Sequence, residues 1–87
     1  MRKIKKVTQL LARIMTLNKN APKGVYYSFE FFGHTNQVNF IKSKKKNCEV
    51  IFDIYAYLNK DNFGKPLSAV EKAIEKEEKL CKDMMKF

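Results

Sequence analysis

The sequence predicts one α+β domain in which a helix, three antiparallel strands and a second helix follow one another along the chain. Three observations favour this fold class. Apolar residues recur every three or four positions at both ends of the chain, which is the period of a helix face. In the middle they recur at every second position, the period of a strand, and short polar segments separate the strand-like runs. A chain of 87 residues suffices for a single domain with one core.

The first helix is predicted over residues 3–18. Asn18, Asn20, Pro22 and Gly24 follow it and favour a turn, because proline lacks an N–H and glycine and asparagine tolerate turn conformations. Its start, a basic segment before an apolar stretch, has the outline of a secretory signal, but polar side chains interrupt the stretch and no cleavage site follows. We therefore expect a helix of the mature domain, and no transmembrane segment. The apolar stripe comprises Ile4, Val7, Leu10, Leu11, Ile14, Met15 and Leu17.

Three strands are predicted over residues 25–33, 36–43 and 48–58. The connections Gly33–Asn36 and Lys44–Asn47 are short enough for hairpins, so we expect an antiparallel meander. Alternation assigns one face to the helices and leaves the other outward. The inner positions are Val25, Tyr27, Phe29, Phe31, Val38, Phe40, Val50, Phe52, Ile54, Ala56 and Leu58. The outer positions are Tyr26, Ser28, Glu30, Phe32, Gln37, Asn39, Ile41, Glu49, Ile51, Asp53, Tyr55 and Tyr57.

The second helix is predicted over residues 68–85, with both helices packed on the inner sheet face. Ser68 and Glu71 have the spacing of a capping box at its start. Glu77 and Glu78 are expected on its solvated surface. Its buried stripe is predicted to comprise Leu67, Val70, Ile74, Cys81 and Met84.

Basic residues outnumber acidic ones by 18 to 9, which gives a formal net charge of +9 and favours anionic partners. The first 24 residues contain seven basic side chains and no acidic one, and a second basic group occupies the Lys44–Lys46 hairpin tip. These groups predict binding to nucleic acid phosphates. The alternatives are charge that keeps the protein in solution, lysines that protect a sheet edge, and a basic helix lying on an anionic membrane. The predicted phosphate-binding residues are Arg2, Lys3, Lys5, Lys6, Arg13, Lys44, Lys45 and Lys46.

The outer sheet face is the second candidate surface, because aromatic residues on an uncovered sheet mark an interface. Tyr26, Tyr55 and Tyr57 are placed to stack the bases of a single strand. The same aromatics, with Phe32, would equally serve as a homodimer seam or as a contact for a host protein. His34 lies at the adjoining hairpin tip, as part of this surface or as an incidental residue of the turn.

The sequence offers no set of residues that would form a catalytic centre. It contains one histidine and two cysteines, Cys48 and Cys81, whose positions in the pattern indicate buried structural residues. We therefore expect a protein that is not an enzyme and that binds no metal and no cofactor. Two cysteines imply no disulfide framework, which favours a reducing compartment such as the cytoplasm of a bacterial host cell.

The order of elements, with Gly33 and His34 between the first two strands and Phe40 in the second, resembles the layout of double-stranded-RNA-binding domains. The resemblance implies that His34 enters the minor groove and that lysines at the start of the last helix grip phosphates. The last helix departs from this pattern, because it opens with Ser68, Ala69, Val70 and Glu71.

The segment from Phe31 to Val38, in a chain rich in lysine and asparagine, resembles small uncharacterised proteins of phages and prophages of Gram-positive bacteria. Such proteins often bind nucleic acid, or bind and inhibit a host protein such as a CRISPR nuclease. The sequence thus supports two hypotheses. The first is a nucleic-acid-binding protein that uses the basic helix and hairpin tip, and the second is a protein-interaction module that inhibits or modulates a host protein.

Overall fold

The protein is described by a computed structural model over residues 2–58 and 66–84, without the side chains of residues 2–4 and 84. The elements are α1 (Arg2–Lys19), β1 (Val25–Phe32), β2 (Gln37–Lys44), β3 (Val50–Tyr57) and α2 (Leu67–Met84). The predicted α+β class and the order of the five elements are therefore confirmed. The predicted connection over residues 59–65 and the predicted helical residue 85 lie outside the described residues.

The sheet is the predicted antiparallel meander, with strand order β1-β2-β3. Val25 pairs with Lys44 at one end of the sheet, and Phe32 pairs with Gln37 at the other. Gln37 in turn pairs with Tyr57, so the ends of β1 and β3 lie on either side of the start of β2. This register fixes which side chains meet at each end.

One hydrophobic core lies between the inner sheet face and the two helices. Phe40 is fully buried at its centre, with its ring centroid 5.7 Å from that of Tyr27 and 5.5 Å from that of Phe52. Aromatic pairs at these separations add stability beyond the area they bury. The other buried core residues are Leu10, Ile14, Leu17, Val38, Ala56, Val70, Ile74 and Cys81.

A β-bulge changes the predicted face of Val50. Lys42 pairs with Phe52, but Ser43 pairs with Val50, so Ile51 is the extra residue on β3. An extra residue shifts the alternation of the residues that precede it. Val50, predicted on the inner face, therefore shares the face of Ser43 and is 55% exposed.

Three more predicted core residues are exposed, namely Leu11, Met15 and Phe31. A helix buries a stripe only as wide as its contact with the sheet. In α1 the residues Leu10, Ile14 and Leu17 fill that stripe, and Leu11 and Met15 lie beside it.

The side chain of Asn18 joins the end of α1 to the edge strand β1. Its amide oxygen accepts a hydrogen bond from the Tyr27 N–H at 2.7 Å, and its amide N–H donates to the Tyr27 carbonyl at 2.8 Å. The amide thus makes the two hydrogen bonds that a neighbouring strand would make with Tyr27. It occupies backbone groups of an edge strand that could otherwise pair with another chain. The C-terminus of α1 is thereby fixed beside the start of the sheet.

Candidate functional site

The structure brings two lysine-bearing segments together at one end of the sheet. Lys19 is the last residue of α1, and Lys23 lies in the turn that leads into β1. The second segment, Lys44–Lys46, ends β2 and begins the turn to β3. The backbone N–H of Lys45 donates to the carbonyl of Gly24 at 2.9 Å, so the two segments are in direct contact. We call this group of five lysines, Lys19, Lys23, Lys44, Lys45 and Lys46, the lysine-rich end.

Local backbone structure fixes the turns that carry these lysines. Gly24 has a φ of +87°, a conformation that glycine adopts without steric cost. In the β2–β3 turn, the Cys48 N–H donates to the Lys44 carbonyl at 2.9 Å, and the Asn47 side chain accepts from the Glu49 N–H at 3.0 Å. The site therefore rests on a defined backbone.

The lysine-rich end keeps most of its positive charge. Its nearest acidic partner is Glu49, whose carboxylate lies 3.3 Å from the Lys44 Nζ. Both side chains are more than half exposed, and exposed pairs of this kind contribute at most about 1 kcal/mol. Among the described residues, Lys45 and Lys46 form no ion pair, and both are exposed. Within the part of the chain that the structure describes, the five lysines therefore form a single ion pair, the one with Glu49.

Two of the five basic residues predicted as the binding face of α1, Lys6 and Arg13, instead form ion pairs with α2. Arg13 donates from Nε to Glu78 Oε2 at 3.1 Å and from an amino group to Glu78 Oε1 at 2.5 Å. This two-point bond raises the pKa of the Arg13 guanidinium. Lys6 pairs with Glu71, and that hydrogen bond lowers the pKa of the Glu71 carboxyl. Glu78, predicted as a solvated surface residue, keeps 37% of its side chain exposed, but its carboxylate is paired with Arg13.

The other predicted residues of α1 lie apart from these pairs. Lys5 is exposed. Arg2 and Lys3 belong to the first turn of α1, but their side chains lie outside the described part of the chain. This turn is at the opposite end of α1 from Lys19, about 25 Å away at 1.5 Å per helical residue.

α2 begins at Leu67, one residue before the predicted cap at Ser68. Glu71, which a capping box would turn back toward the helix start, is bonded to Lys6 across the helix pair. The acidic face of α2 therefore serves to hold α1.

The predicted aromatic surface lies mainly at the far end of the sheet. Tyr55 and Tyr57 form an edge-to-face pair with centroids 5.8 Å apart. Phe32 is 44% exposed, and His34 is exposed in the adjoining β1–β2 turn. Tyr26 is the exception, because it pairs with Ser43 beside the lysine-rich end and is partly buried.

Acidic and amide side chains occupy the outer sheet face between these two ends. Gln37 donates to Asn39 at 2.7 Å, and Asn39 donates to Asp53 at 2.8 Å. Glu30 pairs across the strands with Asn39. Of the side chains that the described strands place on this face, two are carboxylates, Glu30 and Asp53, and none is a lysine or arginine.

The sequence interpretation missed a buried polar cluster between the sheet and α2. Lys42 Nζ lies 2.8 Å from Glu77 Oε1, with side-chain exposures of 12% and 10%. The Tyr27 hydroxyl donates to the same oxygen at 3.0 Å and lies 3.7 Å from Cys81 Sγ. Burial raises the pKa of the Tyr27 phenol, and its hydrogen bonds with Cys81 and Glu77 add to the rise. Glu77 was predicted to be solvated, which is wrong.

The periodicity of the sequence carried a signal for this cluster. Lys42 follows Val38 and Phe40 at strand spacing, so it belongs to the inner face. Glu77 fills the gap between Ile74 and Cys81 in the buried stripe of α2. A lysine on the inner sheet face and a glutamate on the buried stripe of the facing helix can form an ion pair. This pairing follows from the periodicity, because the charge pattern alone does not show which side chains point inward.

A groove of about 500 Å³ separates α1 from α2. Its lining includes the paired Arg13 and Glu78 together with Leu17 and Cys81. The exposed Lys82 also lines the groove, so the groove carries one lysine in addition to the Arg13–Glu78 ion pair. Cys81 is buried, as predicted, whereas Cys48 is exposed in the β2–β3 turn, so its predicted burial is wrong.

Within the described ranges, no group of three His, Cys, Asp or Glu side chains is arranged to hold a metal ion. No helix in the same ranges is both long and apolar enough to cross a membrane. The chain matches no protein family, no curated protein and no solved structure.

Proposed function

We propose that this protein is a non-enzymatic binding protein that engages nucleic acid through its lysine-rich end. The observation that carries the proposal is the hydrogen bond from the Lys45 N–H to the Gly24 carbonyl, which joins two lysine-bearing segments into one surface. Lysine ammonium groups bind phosphates as point charges and require no fixed geometry from the ligand. The surface therefore fits a polyanion contacted through its backbone.

The proposed site differs from the one expected from sequence. Lys19 and Lys23 join Lys44–Lys46 because the fold places them at the same end. Lys6 and Arg13 take part in holding α1 against α2 through Glu71 and Glu78. Their charges are largely balanced within the protein, so we assign them a structural role.

A salt titration tests the proposal. If four or five lysines each contact a phosphate, the logarithm of the binding constant for a DNA duplex should fall against that of the salt concentration with a slope of about −4. Replacement of Lys23, Lys45 and Lys46 by Gln removes three contacts and should reduce the slope to about −1.5.

The matched control replaces Lys72, Lys76 and Lys79 by Gln. These lysines are also exposed and lie on α2, so the net charge changes by the same amount. The control should keep the slope of about −4. Equal effects of the two triple variants would show that binding follows net charge alone, and failure of both duplex and single-stranded DNA to bind at low salt would overturn the proposal.

A second candidate function is protein interaction through the outer sheet face, as in a phage-encoded inhibitor of a host protein. The observation that favours it is the exposed apolar side chains at both ends of a face that no described element covers, Phe32 at one end and Val50 and Ile51 at the other. Apolar side chains exposed on an uncovered sheet face mark interaction sites. Capture of a host protein that is lost in Phe32→Ser and kept in the Lys23, Lys45 and Lys46 variant would support this function over the first.

A further inference from the structure

We infer that the nucleic acid bound at the lysine-rich end is double-stranded and is held by its phosphates alone. This inference rests on the proposed function and specifies the ligand of the same site. It follows from where the structure places the aromatic residues in relation to the lysines.

The lysines and the Tyr55–Tyr57 pair lie at opposite ends of the sheet. Lys44 pairs with Val25 at one end, whereas Tyr57 and Phe32 both flank Gln37 at the other. The two ends are seven residue-to-residue steps apart along β1, from Val25 to Phe32, which corresponds to roughly 23 Å. A nucleotide whose phosphate contacts Lys45 is therefore out of reach of Tyr57 for stacking.

The surface between the two ends opposes a bound single strand. A strand that ran from the lysines to the aromatics would cross Asp53 and Glu30, and the strands place no lysine or arginine on this face. Of the aromatic residues that the described strands place on this face, Tyr26 alone lies beside the lysines, opposite Ser43, and it is partly buried, as Tyr55 and Tyr57 are. Proteins that prefer single strands gain roughly 5- to 150-fold in affinity for each base they stack. With one partly buried ring, the lysine-rich end offers no row of rings on which successive bases could stack.

Phosphate contacts alone favour a duplex. The salt slope per contact is about −0.9 for a DNA duplex and about −0.7 for a single strand, because the duplex has the higher charge density. With four or five contacts, this difference makes the duplex the tighter ligand by roughly five- to tenfold at 0.1 M salt. Lysines that act as point charges impose no requirement for deoxyribose or ribose, so duplex DNA and duplex RNA share the chemistry.

The test compares duplex DNA, duplex RNA and a single DNA strand of 20 nucleotides or base pairs in fluorescence anisotropy titrations at 0.1 M salt. We expect the duplexes to bind more tightly than the single strand by roughly five- to tenfold. The change Tyr57→Ala should leave each of the three affinities within about twofold of that of the original protein, because the proposed site contacts phosphates and does not stack bases.

Two results separate failure of this inference from failure of the proposed function. A single strand that binds as tightly as the duplexes, loses affinity in Tyr57→Ala and still depends on Lys23, Lys45 and Lys46 would overturn the inference and retain the function. Absence of binding to every probe, or binding indifferent to those lysines, would overturn both.

Discussion

The buried pair of Lys42 and Glu77 allows a quantitative prediction about stability. Each side chain is about nine-tenths buried, and their charged atoms are 2.8 Å apart. The change Glu77→Leu leaves the Lys42 ammonium without its carboxylate and takes the acceptor from the Tyr27 hydroxyl. Breaking a buried pair on one side costs about 3 to 5 kcal/mol. A small domain is stable by only about 5 to 15 kcal/mol, so this variant should be close to unfolding.

The double variant Lys42→Met and Glu77→Leu should recover most of the loss. It removes both charges and fills the space with apolar side chains of similar volume, which is often neutral or stabilising. We expect its free energy of unfolding to lie within about 1.5 kcal/mol of that of the original protein. The coupling energy of the pair is then about 3 kcal/mol or more, at the upper end for residues in contact.

Urea denaturation followed by circular dichroism measures these free energies, provided the slope with urea stays constant across the variants. The surface pair Lys44 and Glu49, more than half exposed on both sides, supplies the control. Its matched changes to Met and Leu should each cost no more than about 1 kcal/mol. A cost below about 1 kcal/mol for Glu77→Leu, or simple additivity in the double variant, would refute the reasoning.

Two further predictions concern the contacts that position α1. In Lys6→Gln the pKa of the Glu71 carboxyl should rise toward its usual value, since the bond to Lys6 is the main cause of its lowering. A carboxyl whose pKa is lowered in the folded protein stabilises the fold above its ordinary pKa, and this contribution disappears as the pH falls through the lowered value. The Lys6→Gln variant lacks most of this contribution, so its free energy of unfolding should fall less on acidification than that of the original protein. NMR titration of the Glu71 carboxyl carbon measures this pKa, and a pKa unchanged by Lys6→Gln would contradict the ion pair. Asn18→Ala should cost about 1 to 3 kcal/mol, because it unpairs the N–H and carbonyl of Tyr27. Hydrogen exchange at the Tyr27 amide should accelerate in this variant. Unchanged protection would show that the two Asn18 hydrogen bonds do not stabilise β1.

The fold was predictable because the spacing of apolar residues in each segment follows a single period, that of a helix at the two ends of the chain and that of a strand in the middle. Alternation located the strands, and their short turns implied the meander, since hairpins leave few other topologies. Val50 was assigned to the wrong face because a bulge arises from backbone geometry that alternation does not register.

The candidate site was predictable only in part. The Lys44–Lys46 tip is visible as a run of charge, but its contact with the turn at Gly24 depends on the β1–β2 register. Arg13 looked available because its partner Glu78 is 65 residues away in the chain. Charge patterns show which residues are basic, whereas tertiary packing decides which of them are neutralised.

The most direct test of the central claim is an NMR titration of the labelled protein with duplex DNA at low salt. We predict that the largest shifts in backbone amide signals occur at Lys19, Lys23, Gly24, Lys45 and Lys46 and diminish as salt is added. Shifts concentrated at Phe32 and Tyr57, or no shifts at all, would contradict the account.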